Sequence, residues 1–151
     1  MSANCVDISY MKIEDVEDIL AVENSCFTVP WSKESFMQEL SNKNLAIYIC
    51  ARVEKIAIAY AGMWRICDEG HITNIAVHPQ YRRNGIGGRL VQHLINIAKN
   101  EKISRITLEV RKSNVIAQKL YTRYGFKVDG VRKEYYSDNG EDAVIMWKNN
   151  I

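Results

Sequence analysis

Two groups of residues in this 151-residue chain carry side chains able to do chemistry. The first is Leu108-Glu109-Val110-Arg111, followed by Asn114 and Tyr121. Alternation puts Ile106, Leu108 and Val110 on one face of a strand and Thr107 and Glu109 on the other. A carboxylate inside such a strand lies either at a rim or along a cleft where something needs a proton acceptor. Asn114 and Tyr121 are two helical turns apart, so one ligand can touch both. Asn114 equally suits a helix start and Tyr121 a half-buried aromatic, so spacing alone leaves both readings open.

The second group runs from Asn74 to Leu90 as strand, turn, glycines and helix. Glycines just before a helix let the backbone approach a ligand, and the first N–H groups with the positive dipole end attract an anion. Arg82 and Arg83 add charge suited to a pyrophosphate. The same glycines also fit a plain tight turn with both arginines on a solvated face. Neither G-x-x-x-x-G-K-S/T nor a G-x-G-x-x-G after the first strand is present, which removes nucleoside triphosphate and dinucleotide readings.

Positioning these groups takes a mixed α/β sheet. Val6–Met11 reads as a short strand, and Val16, Ile19, Leu20 and Glu23 repeat at helical spacing over Glu14–Ser25. Phe27-Thr28-Val29-Pro30-Trp31 breaks that helix, and Ser32 can cap a second one carrying Phe36 and Leu40. Leu45–Val53 and Ile56–Ile66 form an expected hairpin, with His71–Val77 as a third strand. Leu90, Leu94, Ile97 and Ala98 mark a helix, Ile103–Val110 a strand, and Asn114–Tyr124 a helix ending at Gly125. Phe126–Tyr136 and Asp142–Lys148 are expected to pair around a tip at Asn139-Gly140. The order is β-αα-βββ-α-β-α-ββ, with helices on both faces of the sheet.

Composition narrows the class. One core and a single domain over 1–151 are expected, since the chain is too short for two ordinary domains and has no linker. A formal net charge of +2 gives no global pull toward nucleic acid or membrane. The opening MSANCVDISY lacks the features of a signal peptide, and no stretch reaches the roughly 20 apolar residues of a membrane span, so a cytoplasmic location is expected. Cys5, Cys26, Cys50 and Cys67 form no C-x-x-C pair and read as reduced thiols. His71, His78 and His93 are not at metal-ligand spacing, and no metal is expected.

Arg82-Arg83-Asn84-Gly85-Ile86-Gly87, behind the strand that ends Val77-His78-Pro79, resembles the R/Q-x-x-G-x-G/A signature of the GCN5-related N-acetyltransferases. The resemblance implies a GNAT fold, a mostly antiparallel sheet of about seven strands flanked by about four helices, and acetyl-CoA as co-substrate. It places Ile75, Ala76 and Val77 along the pantetheine arm, and Arg83, Asn84, Gly85, Ile86, Gly87 and Gly88 at the pyrophosphate. Gly88 stands where Arg or Lys often follows, and His78 replaces a commoner acid; neither change removes a backbone donor.

Acetyl transfer to an amine needs a proton acceptor for the nitrogen and a proton for the departing thiolate. Glu109 is the candidate base and Tyr121 the candidate acid, and Asn114 would contact the coenzyme. No cysteine is required, so direct transfer in a ternary complex is expected; Cys26 and Cys67 leave a covalent route as the alternative.

Over nearly its whole length the chain is similar to the branch of that family that acetylates the N-terminal alanine of a small-subunit ribosomal protein. That likeness implies a protein N-terminus as partner, with Phe27, Trp31, Tyr135 and Tyr136 as aromatic walls of a peptide groove. From sequence, these aromatics fit core packing equally well. A monomer or weak dimer is expected. The alternatives are a small-molecule amine acceptor (polyamine, amino acid or aminoglycoside) and a coenzyme-A-binding module without turnover.

Overall fold

The computed structural model describes residues 5–151; Met1–Asn4, the start of the opening segment, lie outside the described residues. Seven strands form one sheet in the order β1-β2-β3-β4-β5-β7-β6. They are β1 (Asp7–Tyr10), β2 (Ala46–Val53), β3 (Ile56–Ile66), β4 (Glu69–Val77), β5 (Arg105–Arg111), β6 (Lys127–Arg132) and β7 (Ala143–Lys148). Four helices accompany them: α1 (Val16–Cys26), α2 (Lys33–Ser41), α3 (Ile86–Asn100) and α4 (Val115–Arg123). Every neighbouring pair is antiparallel except β4–β5.

Local chemistry accounts for most boundaries. Ser32 caps α2 by accepting from the Ser35 N–H at 3.2 Å, as expected. The β2–β3 hairpin turns through Glu54 and Lys55, both at positive φ (50° and 72°), the pair of conformations a two-residue turn between twisted strands needs. α4 stops at Tyr124 because Gly125 takes the left-handed conformation, φ 95°.

Two apolar layers sandwich the sheet. α3 and α4 cover one face, where Leu90, Leu94, Ile106, Leu108, Phe126 and Met146 are buried. α1 and α2 cover the other over β2–β4, burying Val16, Ile19, Phe36, Tyr48 and Tyr60. The two apolar stripes of the first helix pair and of α3 therefore face each other across one sheet, as the pattern of alternating elements implies.

The sheet is irregular at two places in β4. The β4–β5 pairing spans only Glu69–Ile72 against Arg105–Leu108, after which the strands diverge. Opposite β3, the register steps from Gly62↔Asn74 to Met63↔Ile72, so Thr73 is an extra residue in β4. This bulge reverses the alternation: Ile72 packs on the α3 face, yet Ala76, four residues on, packs under α1.

One expectation fails. The sequence suggests a strand over Phe126–Tyr136 closed by a tight Asn139-Gly140 tip, but β6 ends at Arg132 and residues 133–142 form a long loop. Glu134 turns the chain at φ 49°, and Arg111 ties the loop through Asp138, Asn139 and Glu141. Those side-chain contacts outweigh the hairpin preference of the Asn-Gly pair. Tyr135 and Tyr136 consequently stand on a loop rather than in a strand.

Candidate active site

Divergence of β4 from β5 opens a cleft of about 800 Å³. Glu109 lies on the face of β5 opposite the Leu108–Val110 core, while Tyr121 rises from α4 on the α3 face. The two belong to different faces, yet both line the cleft because the gap between the strands joins them. Asn74, Ile75, Asn114, Phe27, Trp31, Tyr135 and Tyr136 line it too.

Glu109 is held on both oxygens. His71 Nε2 is 2.6 Å from Oε2, and Arg132 Nε donates to Oε1 at 3.3 Å. The hydrogen bond from His71 holds the Glu109 carboxyl below the usual carboxylate range; burial opposes this and Arg132 reinforces it. Glu109 is therefore ionised at neutral pH and able to accept a proton. His71 packs edge-on against Trp64, whose Nε1 donates to Glu39 at 2.7 Å. His71 and Arg132 are neighbours of Glu109 that the sequence alone does not reveal. His71 is brought to Glu109 by strand pairing across 38 residues, and the only signal was its place in a strand next to the glycine segment.

Tyr121 is 8% exposed and sits edge-on to Phe126. Burial pushes its hydroxyl well above the ordinary phenol range, so it stays protonated and can donate. No protein group among the described residues hydrogen-bonds to that hydroxyl. Asn114 caps α4, its Oδ1 accepting from the Ala117 N–H at 3.1 Å, which leaves its amide donors for a ligand. The capping role and a place in the cleft are thus compatible.

Outside the residues that line the cleft, Gly85 is the residue before α3, with φ 73° and no side chain capping the helix. A Cβ there would meet nothing within 4 Å, and the first amides of α3 have no side-chain cap at the positive end of the helix. Asn84 Nδ2 fixes the loop through the Tyr81 and Arg82 carbonyls. Arg82 does not point to the helix end: its Nε donates to the Val77 carbonyl and its Nη2 reaches Cys26 Sγ. Gly88 has a separate cause, since a Cβ would lie 2.5 Å from the Tyr124 hydroxyl and 3.2 Å from its ring. A side chain there would push α4 away from α3.

Ile75, Ala76 and Val77 lie beyond the last β4–β5 pair, so the backbone groups they turn toward β5 have no strand partner. Apart from the Val77 carbonyl, which accepts from Arg82 Nε and Cys26 Sγ, those groups suit a ligand that itself carries amides. Of the expected walls, Trp31 packs on Phe36 and Tyr48, whereas Phe27 and Tyr135 are exposed. Tyr136 stacks under the Arg111 guanidinium at 3.9 Å, and burial pushes its pKa up to about 12. The loops bearing these aromatics meet where Thr28 Oγ1 donates to Asp138.

The cleft thus holds an ionised carboxylate and a protonated phenol beside a strand edge with no strand partner, while the uncapped N-terminus of α3 lies outside its lining. Comparison with known proteins agrees with that arrangement. The model of the acetyltransferase (GNAT) family matches residues 16–126. A Bacillus subtilis (strain 168) protein named putative ribosomal protein bS18-alanine N-acetyltransferase is 42% identical over 137 residues, covering 91% of each chain. The Escherichia coli (strain K12) ribosomal protein bS18-alanine N-acetyltransferase is 33% identical, covering 92% of this chain and 94% of its own. The crystal structure of the ribosomal-protein-S18-alanine N-acetyltransferase from Escherichia coli superposes with a TM-score of 0.88 at 31% identity, over 96% of this chain and 94% of that one. The family match over residues 16–126 and relatives this similar along almost their whole lengths establish that the chain belongs to the acetyltransferase (GNAT) family.

Proposed function

We propose that the chain is a single-domain, acetyl-CoA-dependent N-acetyltransferase whose acceptor is the N-terminal alanine of ribosomal protein bS18. One observation carries the chemistry: the splayed β4–β5 gap brings Glu109 and Tyr121 into one cleft from opposite faces of the sheet. The names of the relatives carry the acceptor. In this reading the α3 end, with Arg83 to Gly88, holds the pyrophosphate, and Ile75, Ala76 and Val77 pair with the pantetheine arm. Asn114 donates to the coenzyme from the head of α4.

An α-amino group has a pKa near about 8 and is mostly protonated at neutral pH, so it must lose a proton before attack. Glu109 takes that proton, directly or through water, with His71 fixing its orientation. Tyr121 supplies a proton to the departing sulfur. Phe27 and Trp31 on one side, and Tyr135 and Tyr136 on the other, hold the acceptor backbone.

A small polyamine would call for acidic groups free to meet cations. Asp138 and Glu141 do line the cleft, but both are paired with Arg111, which favours the peptide. Transfer is direct, in the cytoplasm, by a monomer or weak dimer. The test is a thiol-release assay with acetyl-CoA against peptides copying the bS18 N-terminus, internal-lysine peptides and polyamines. Turnover of the N-terminal peptide is expected; turnover of polyamines alone would sink the acceptor assignment.

A further inference from the structure

Glu23 is a carboxylate buried in a core that has no need of one. It lies in the last turns of α1, is 1% exposed, and has no cation among its hydrogen-bond partners. Taking a carboxylate out of water costs several kcal/mol unless its partners are well placed. An apolar side chain of similar size would fill the volume beneath α1 without that desolvation, but would leave the groups that donate to Glu23 unpaired. The reason for an acid has to be sought in what its two oxygens hold.

Oε2 accepts the Trp31 N–H at 2.9 Å, and Oε1 accepts the Tyr60 hydroxyl at 2.5 Å. Trp31 ends the apolar loop that walls the cleft. Tyr60 is fully buried in β3, and its register partner in β4 is Ala76. Burial raises the Tyr60 pKa, which keeps the hydroxyl protonated as a donor, while the neighbouring Asn74 side chain acts against that shift. Asn74 reaches this face only because the Thr73 bulge reverses the alternation of β4. Phe36 packs against both partners, 5.4 Å from the ring of Trp31 and 5.4 Å from that of Tyr60. One buried carboxylate thus ties a cleft-wall loop to β3 at the residue that pairs with Ala76 in the splayed part of β4.

We propose that Glu23 is a positioning residue that sets the distance between the acceptor wall and the strand edge carrying the acyl donor. The proposal rests on the proposed function, in which the 27–31 loop holds the acceptor and β4 the coenzyme. Productive transfer needs the nitrogen and the thioester carbon within about 3–3.5 Å, so a small shift of one wall against the strand is felt in rate. Two hydrogen bonds on a rigid, dry carboxylate resist that shift better than an apolar contact, which tolerates sliding.

Three variants test this with the full-length protein: Glu23→Gln, Glu23→Leu and Tyr60→Phe. Steady-state constants for an N-terminal acceptor peptide and for acetyl-CoA are measured beside thermal melts. In both Glu23 variants, acceptor KM rises about tenfold or more, as expected when at least the hydrogen bond of about 1.4 kcal/mol that holds the Trp31 N–H is weakened or lost, and kcat falls. KM for acetyl-CoA stays within about twofold of wild type. Glu23→Leu lowers the melting temperature, because the Trp31 N–H and the buried Tyr60 hydroxyl are left without an acceptor, so the split between the two KM values, not the melt, carries the test. Tyr60→Phe, which loses only the Oε1 partner, gives an intermediate rise in acceptor KM.

A lowered melting temperature with acceptor KM unmoved in all three variants would reduce Glu23 to a purely structural group and overturn the proposal. Wild-type turnover of polyamines and of no peptide would instead overturn the acceptor assignment on which it depends. The two failures are told apart by the wild-type control alone.

Discussion

At the residue scale, each reactive side chain is tuned by a different cause. The His71 hydrogen bond, reinforced by Arg132, holds Glu109 ionised, and burial holds Tyr121 protonated, so at neutral pH the pair is already in the states that acyl transfer to an amine requires. Glu109→Gln and Tyr121→Phe should each lower turnover by about 10²-fold or more with coenzyme affinity nearly intact, read from single-turnover rates and coenzyme titrations. Unchanged rates in both would remove the two roles. The same carboxylate should leave a mark on stability. Its folded pKa is depressed below the ordinary 4.5, so its contribution is present above about pH 4.5 and is lost as pH falls through the folded value. Urea midpoints of the wild type should therefore drop more steeply on acidification below pH 4.5 than those of Glu109→Gln. Parallel curves would mean that His71 and Arg132 do not stabilise the charge.

At the element scale, short irregularities do the positioning. The Thr73 bulge in β4, the early end of the β4–β5 ladder and the bare N-terminus of α3 each spoil a regular element where the proposed ligands need donors. Gly62 in β3 belongs with them: a Cβ there would come within 2.3 Å of the Tyr48 ring and 2.8 Å of Thr73 Oγ1. Tyr48 could then no longer bridge Glu39 and Thr73. Gly62→Ala is expected to cost about 1–3 kcal/mol of overpacking strain, measured by chemical denaturation. A stabilised variant would show that Tyr48 moves aside freely. At α4, Asn114→Ala removes the cap and should cost about 1 kcal/mol, with a weaker grip on the coenzyme. Wild-type stability in that variant would deny Asn114 its capping role.

At the scale of the whole molecule, two apolar layers share one sheet, so loosening either face should be felt by both. Leu94→Ala beneath α3 and Ile19→Ala beneath α1 each remove a fully buried side chain and should cost about 2–5 kcal/mol. Both variants should unfold in one transition in which tryptophan fluorescence and far-UV circular dichroism coincide. Two separated transitions would show that the layers are held independently. The cleft opens where the shared sheet parts, so the walls proposed for the acceptor, built on the α1–α2 loop and the 133–142 loop, rest on both halves of the fold.

Much of this was legible in the chain itself. Periodicity and caps placed four helices and seven strands because apolar alternation, Ser32, Asn114 and Gly125 act locally. The glycine-arginine segment and the L-E-V-R strand pointed to acyl transfer because their chemistry follows from residue type and short spacing. What only the tertiary structure decided depends on contacts distant in sequence. His71 and Arg132 reach Glu109 across 38 and 23 residues. Arg111 remodels a segment that reads locally as a hairpin, which moves Tyr135 and Tyr136 onto a loop. Glu23, which in the sequence is only one more position in a helical repeat, becomes a buried link between two walls. Above all, Glu109 and Tyr121 sit on opposite faces and meet only because two parallel strands part company, an event set by sheet twist and packing rather than by any residue in the motifs.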